Sequence, residues 1–312
     1  MIRRLTPADT HQILSVWQSF YPEKYWVDEG QLRTHVWEAP LSCAEQRHGI
    51  FDGEKLVAFA FSKHAPEESK YAANAEQANL QALAFARPQQ GAELIAALVE
   101  GLGHKGFKRL VYGQDSRHFF PGVPTECSRL EACLRECGFQ FTGDQVDLER
   151  DLATYELPER VTLDHPGVTF RTCQEHDRPA VEEFFGRVFP GRWRYDVLGK
   201  WDLEGHDTVY GMFENNRCEG FALIQDERAK MPIGGAVWKH DLGAHWGSLG
   251  PIGVSEEVRG RGLGHALLAA ALLELKGRGC RQTIIDWTTL KDFYGRHGFE
   301  VTREYRGFAL DF

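Results

Sequence analysis

The chain has 312 residues, of which 42% are hydrophobic and 26% charged, and its formal net charge is −9. This length favours two domains, and the composition is that of globular rather than disordered chains. The acidic balance argues against a nucleic-acid partner, because phosphate-binding surfaces normally carry excess lysine and arginine. No secretory leader is recognisable, and no apolar run approaches the roughly 18 residues of a membrane span. We therefore expect a cytoplasmic location and no membrane partner.

The seven cysteines are scattered along the chain, and an odd number of unpatterned thiols favours the reduced state. Cys127, Cys133 and Cys137 are neighbours in sequence but lack the CxxC pairs and histidines of a zinc site. Cys133 and Cys137 are four residues apart in a predicted helix, where packing is the simpler role. We expect no metal.

The first half of the chain predicts a regular series of elements in chain order. They are a strand at 2–5, a helix at 10–20, a hairpin at 50–59, a strand at 79–85, a helix after Gly91, a strand at 109–112, a helix at 125–137 and a last strand from Phe139. A longer loop, residues 114–124, lies before the last helix. Long loops with aromatic residues are often functional, so it could help to form an acceptor site, cover a vacant cofactor site or pack between domains.

The second half predicts the same series again. Its elements are a strand at 169–172, a helix at 178–189, a hairpin at 211–221, a strand at 248–254, a helix at 265–276, a strand at 283–287, a helix near 290 and a last strand from Phe299. Pro22 and Pro190, in related turns, stand 168 residues apart. Matches in the same order indicate an internal duplication of a mixed α/β domain. We place the domains at 1–153 and 168–312, joined by a linker at 154–167.

The most informative stretch follows the strand at 248–254 and contains Gly260, Gly262 and Gly264 just before a helix. A glycine-rich turn lets an anion approach the backbone, and the helix start offers free N–H groups and partial positive charge. A pyrophosphate fits this arrangement, with Arg259 and Arg261 as added donors. The spacing matches neither a Walker loop nor GxGxxG. The simpler alternative is a tight turn with incidental glycines.

The pattern Arg259-x-x-Gly262-x-Gly264, between an apolar strand and an Ala/Leu-rich helix, resembles the acetyl-CoA motif of the GNAT superfamily. The resemblance implies two tandem GNAT domains, each with a mixed, mostly antiparallel sheet flanked by helices. It implies acetyl-CoA as co-substrate, held at Ile252, Gly253, Val254, Arg259, Gly260, Arg261, Gly262, Leu263, Gly264, His265, Trp287, Thr288 and Phe293. Family members often have an asparagine where this chain has Thr288-Thr289, which leaves that contact open.

The resemblance also assigns catalytic and acceptor residues. Tyr294 stands where these enzymes often keep a general acid, although a packed core tyrosine is the alternative. The predicted fourth strand lacks the usual glutamate, so the base stays open among His245, which we favour, His240, Asp241, the terminal carboxylate of Phe312 and water. The turn after the first helix of the second domain predicts acceptor contacts from Arg192, Trp193 and Tyr195.

The first half is expected to bind no coenzyme A. Six positions separate Phe85 from Gly91, whereas ten separate Val254 from Gly264, and Pro88 removes an N–H donor. The favoured function is an acetyl-CoA-dependent N-acetyltransferase acting on a primary amine of a small or amino-acid-like acceptor, as a monomer or homodimer. Alternatives are a transferase for longer acyl chains and a non-catalytic acyl-CoA sensor or interaction module. No signature in the chain selects the mycothiol-forming members.

Overall fold

The computed structural model describes residues 1–39, 42–64 and 76–312. These residues form two compact units. The first unit contains Met1–Gln145 together with Arg303–Phe312, and the second contains Val146–Thr302. Each unit is a mixed sheet with helices packed against it, as the sequence predicts.

The first half of the chain supplies seven strands and four α-helices in the described ranges. These are β1 (Ile2–Arg4), α1 (Thr10–Phe20), α2 (Glu29–Leu32), β2 (Ser42–Asp52), β3 (Lys55–His64), β4 (Gln77–Phe85), α3 (Pro88–Gly103), β5 (Arg109–Tyr112), β6 (Val123–Pro124), α4 (Ser128–Glu136) and β7 (Gln140–Asp151). Strands β1 to β4 pair antiparallel in order, and β4 pairs parallel with β5.

The second half supplies the remaining elements. They are β8 (Val168–Thr172), α5 (Arg178–Val188), α6 (Arg192–Glu204), β9 (Val209–Glu214), β10 (Arg217–Asp226), α7 (Lys239–Leu242), β11 (Trp246–Val254), α8 (Leu263–Gly277), β12 (Gln282–Thr288), α9 (Lys291–Gly295) and β13 (Glu300–Asp311). In the second unit the strand order is β7-β12-β11-β10-β9-β8, and only the β11–β12 pair in this order is parallel.

The last strand of each half is divided between the two units: β7 divides after Gln145, and β13 divides after Thr302. From Val146 onward β7 pairs with β12, with Leu148 opposite Ile285. In the first unit β13 pairs with β5, with Ala309 opposite Val111. The domain boundaries at 153 and 168 describe the sequence repeat and stay a prediction. The compact units follow different boundaries, because each unit includes part of the last strand of the other half.

Equivalent side chains in the two halves make the same local contacts, which explains why the duplication can be recognised in the sequence. The Arg3 guanidinium pairs with Asp9 at 2.6 Å, and Arg171 pairs with Asp177 at 2.6 Å, at the same 168-residue offset as the prolines. Each aspartate also accepts a backbone N–H at the start of a helix, which caps it. Each arginine lies over a phenylalanine ring, 3.8 Å from the Phe51 centroid and 4.4 Å from that of Phe213.

Helix α8 lies at the centre of the second unit and is apolar on almost every side. A helix of this kind is stable only when it is buried, because its surface contains few groups that water can bind. Its buried leucines and alanines pack on β10 and β11, and Leu148 of β7 joins the same core. Burial of one such leucine contributes about 2 kcal/mol. This packing holds the start of α8 at the end of β11, where the glycine-rich loop lies.

Candidate active site

Strands β11 and β12 separate along their length and leave a gap. They pair at Trp246–Ser248, opposite Gln282–Ile284. Beyond Ser248 a bulge at Gly250–Pro251 interrupts the ladder between β11 and β10, and bulges bend a strand away from its neighbour. Within the described residues, the remainder of β11 pairs with β10 and not with β12. We call the opening between the outer halves of β11 and β12 the strand gap; its β11 edge carries Ile252, Gly253 and Val254.

The glycine-rich loop leads directly from the strand gap to α8. Gly260 and Gly262 have φ values of +77° and +80°, a conformation that disfavours other residues. The first backbone bond of α8 joins the Ala266 N–H to the Gly262 carbonyl at 3.1 Å. The N–H groups of Leu263, Gly264 and His265 therefore lie before helical bonding begins, where an anion is favoured. These N–H donors are chemically suited to bind a pyrophosphate.

The two loop arginines are engaged with carboxylates. Arg261 donates to Glu214 at 2.7 Å and 3.2 Å, and Arg259 donates to Glu256 at 3.1 Å. The pKa of Glu214 is lowered, mainly by the hydrogen bond from Arg261. Both pairs are exposed, and exposed pairs exchange partners at little cost. Phosphate binding by these arginines, which stays a prediction, would require them to leave or share these carboxylates.

A chain of three polar side chains, of which His265 is half-buried and the other two are buried, runs from the start of α8. The Nδ1 atom of His265 lies 3.0 Å from Nε2 of His297, whose Nδ1 lies 3.0 Å from the Tyr155 hydroxyl. The His265 ring also stacks on Phe293 at 4.4 Å. Burial is the largest cause that lowers the pKa of His297, to about 4, and it also lowers that of His265. Both imidazoles are therefore neutral near pH 7.

Tyr294 lies in the core at the end of β12, beside Phe293 and Phe299. Burial raises the pKa of its phenol well above 10, and the charge of Asp286 adds to the rise, while a hydrogen bond with Thr288 opposes it. The phenol therefore keeps its proton at neutral pH.

Asp286 is the residue that sequence reasoning missed. A β-carbon built on Gly250 would stand 3.3 Å from Asp286 Oδ1, and one built on Gly234 would stand 3.0 Å from it. The carboxylate of β12 therefore reaches across the strand gap towards β11. The sequence does contain a signal for this residue, which is the aspartate inside the apolar run Ile284-Ile285-Asp286-Trp287. A charged residue in such a strand rarely has a packing role.

A short 3-10 helix, Gly234–Trp238, forms a wall beside Asp286. Two hydrogen bonds fix it, from the Gln225 amide to the Ile233 carbonyl (2.9 Å) and from the Ile233 N–H to Gln225 (3.0 Å). A β-carbon on Gly235 would meet Ile284 at 2.7 Å, so this helix packs tightly on β12.

The base candidates from the sequence occupy three different places in the structure. His245 precedes β11 at the end where the strands are still paired, and its backbone and ring contact Glu227. Five residues of extended chain place it about 16 Å from Gly250. Phe312 belongs to the first unit, where its N–H donates to Lys108. His240 and Asp241 lie on α7, which follows the 3-10 wall.

The predicted acceptor residues lie on the first turn of α6 rather than in a loop. The Arg192 guanidinium lies 4.2 Å from the Trp287 ring centroid and donates to Asp196 at 3.2 Å. Trp193 packs over Gly253, where a β-carbon would stand 3.1 Å from the indole. Tyr195 is half-buried on the same turn. Arg192 and Trp193 thus approach β12 and β11 respectively.

The corresponding gap of the first unit is filled by its own side chains. Tyr21 donates to the Leu83 carbonyl at 2.7 Å and accepts the Leu83 N–H at 3.4 Å. Phe120, from the loop at 114–124, stacks on Tyr21 with ring centroids 5.0 Å apart and is fully buried. A β-carbon on Gly91 would meet the Phe85 ring at 2.7 Å, so the first turn of α3 packs closely on the end of β4 at this glycine.

Metal sites and membrane spans are not found in the described part of the chain. Among residues 1–39, 42–64 and 76–312, no three His, Cys, Asp or Glu side chains are grouped to hold a metal ion. In the same ranges no helix has the length and apolar character needed to cross a membrane.

Comparisons with known proteins bear on the fold and on the second half of the chain. The model of the acetyltransferase (GNAT) domain matches residues 217–301, which span β10 to the start of β13. The chain therefore carries a GNAT acetyltransferase domain in its second half. A tandem GNAT protein from the clavulanic acid biosynthesis pathway aligns with 100% of this chain and 98% of its own, at TM-score 0.68 and 16% identity. The fold of the chain is that of tandem GNAT proteins.

Two other relatives carry more specific names. The mycothiol acetyltransferase of Saccharopolyspora erythraea is 30% identical over 149 residues, which cover 44% of this chain and 42% of that protein. A glucosamine N-acetyltransferase region of a fungal multi-domain β-N-acetylglucosaminidase aligns with 99% of this chain and 38% of that chain, at TM-score 0.88 and 21% identity. The chain thus spans less than half the length of either relative.

Proposed function

We propose that this protein is an acetyl-CoA-dependent N-acetyltransferase for a primary amine of a small molecule. The observation that carries the proposal is the strand gap, which leads to the glycine-rich loop and into which Asp286 reaches from β12. Tyr294 is hydrogen-bonded to Thr288 at the end of the same strand. Acetyl-CoA, when bound, supplies an activated acetyl thioester. The edge of β11 from Ile252 to Val254 and the first N–H groups of α8 would hold it.

Asp286 is the proposed general base. An amine must lose a proton to attack and remain acylated, and a carboxylate that reaches into the strand gap can accept that proton. Tyr294 is the proposed general acid, because its phenol is protonated and a departing thiolate needs one proton. The amine proton thus goes to Asp286 and the phenol proton to the sulfur, which leaves an amide and a free thiol.

Amino sugars are the acceptor class that we propose to test first. The fungal region that aligns with nearly the whole chain is named for glucosamine, although its 21% identity supports the fold alone. Arg192 over Trp287 adds a polar and aromatic surface close to Asp286 along β12. Aromatic rings and charged donors are common in pockets that orient a small polar ligand.

The test is release of free thiol from acetyl-CoA with a panel of amines that includes glucosamine and amino acids. Asp286→Asn should lower kcat about 100-fold, a typical contribution of a general base. Asp292→Asn, an exposed carboxylate on α9, is the matched control. Tyr294→Phe should also lower kcat, whereas Tyr210→Phe, another buried tyrosine of the same core, should not.

The outcomes separate the proposed enzyme from the alternative. Turnover that survives in Asp286→Asn would remove the base assignment. Tight binding of acetyl-CoA with no turnover of any amine would instead favour the sensor alternative. No binding at all would overturn the function.

A further inference from the structure

Trp287 has an unusual backbone conformation beside the proposed site. Its φ is +47°, in the left-handed region that a bulky residue enters only when its surroundings require it. Such conformations persist where neighbouring groups hold them, and they occur often at functional sites. The contacts of this residue therefore indicate what holds it.

A buried carboxylate of β7 accepts the backbone N–H of Trp287. Asp147 Oδ1 lies 3.0 Å from this nitrogen, and Asp147 is 0% exposed. The strand register shows the cause: Leu148 faces Ile285 and Val146 faces Thr288, so two residues of β12 stand opposite Asp147. This is a β-bulge, and its extra N–H is satisfied by a side chain instead of the ladder.

The bulge contains the two adjacent residues Asp286 and Trp287. In a regular strand, neighbouring residues face opposite sides of the sheet. Here Asp286 reaches towards Gly250 and Gly234, while the next ring, that of Trp287, meets Arg192. Both the proposed base and the aromatic acceptor surface therefore depend on the geometry of one bulge.

We propose that Asp147 is a positioning residue that sets Trp287, and with it the acceptor side of the active site. The inference rests on the proposed function for its catalytic consequence. Asp147 lies on the last strand of the first half of the chain, whose own gap is filled. The half without a working loop thus contributes a functional side chain to the second unit.

The first test needs no activity. In protein labelled with ¹⁵N-tryptophan, the backbone amide of Trp287, assigned with Trp287→Phe, should exchange slowly with solvent. Asp147→Ala should speed this exchange about tenfold or more, because the amide loses its acceptor. Asp147→Asn should preserve the slow exchange, since its side-chain oxygen accepts the same N–H. Equal exchange in wild type and Asp147→Ala would overturn the inference.

The second test is kinetic. Asp147→Ala should raise the KM for the amine about tenfold and lower kcat, because Trp287 and Asp286 share the bulge. The KM for acetyl-CoA should stay within about twofold, because the edge of β11 and the glycine-rich loop are unchanged. Asp147→Asn should restore the wild-type KM. The matched control is Glu149→Ala, a β7 carboxylate bonded to the side chain of Gln282 at 3.1 Å. An equal rise in both KM values would indicate general structural damage and contradict the proposal.

The two measurements distinguish failure of the proposed function from failure of the positioning role. Wild-type protein that turns over no amine defeats the proposed function, while the exchange measurement still reports on the Asp147 contact. Normal kinetics in Asp147→Ala with wild-type turnover intact defeats the positioning role alone. If the alanine variant does not fold, Asp147→Ser replaces it, because its hydroxyl is too short to reach the amide.

Discussion

The Tyr21 hydroxyl lies between the backbone carbonyl and N–H of Leu83, at 2.7 Å and 3.4 Å, on the outer half of β4. In the second unit the corresponding stretch of β11 edges the strand gap. In the first unit the Tyr21 side chain is thus hydrogen-bonded to strand backbone groups. In the second unit a ligand would bind the corresponding groups of β11.

We therefore expect one molecule of acetyl-CoA to bind per chain. Gly262→Glu/Gly264→Glu should abolish binding, because two carboxylates at the start of α8 repel the pyrophosphate and Gly262 requires a positive φ. Isothermal titration calorimetry measures both stoichiometry and affinity. Gly277→Glu, at the far end of α8, is the control that should bind normally. A second site in wild type would contradict the filled gap.

The ion pair between Glu214 and Arg261 predicts a gain of affinity. Glu214→Gln frees Arg261 for phosphate, so the Kd for acetyl-CoA should fall about two- to threefold, within the range of exposed ion pairs. Glu257→Gln, whose carboxylate contacts Arg217 instead, should leave the Kd unchanged. The measurement is the same titration at low and high salt; a weaker complex in Glu214→Gln would show that the pair itself organises the loop.

The neutral state of His297 predicts an acid-sensitive fold. Its pKa is about 4 in the folded protein and about 6.5 in an unfolded chain, so between these values the unfolded state binds more protons. Stability should therefore fall as the pH drops from about 6.5 to 4, by about 3 kcal/mol from this group. Urea unfolding at pH 7, 5.5 and 4 measures the slope.

A variant pair checks the assignment to His297. His297→Gln should flatten the pH slope, while His104→Gln, an exposed histidine at the end of α3, should leave it in place. An unchanged slope in His297→Gln would assign the acid sensitivity to other groups.

The exchanged strands predict that neither half folds well alone. Residues 1–153 lack the part of β13 that pairs with β5, and a fragment that starts at residue 154 lacks the part of β7 that pairs with β12. Unpaired edges of this kind promote association and aggregation. Separate expression should give aggregated protein, and co-expression should give a soluble complex by size-exclusion chromatography. A monomeric, cooperatively melting 1–153 fragment would contradict this.

Much of the second unit could be predicted because its signals are local. Gly260 and Gly262 indicate a backbone with positive φ, and the long apolar sequence of α8 indicates a buried helix. Both features can be predicted from the sequence without knowledge of tertiary contacts. The matched Arg3–Asp9 and Arg171–Asp177 pairs repeat for the same reason. Asp286 and Asp147 were missed because their roles arise from pairing between distant strands. Neither residue belongs to a motif, and only the register of β12 reveals them.

The exchange of strands also affects the order of events during synthesis. The first unit includes Arg303–Phe312, which the ribosome produces only after the whole of the second unit. Until those residues emerge, the edge of β5 that pairs with β13 stays unpaired. During this time some 190 residues are added, which takes roughly 10 to 40 seconds of translation. A nascent chain of this protein is therefore exposed to chaperones and proteases for longer than its two-unit architecture suggests, and a premature stop near residue 300 damages the unit made first.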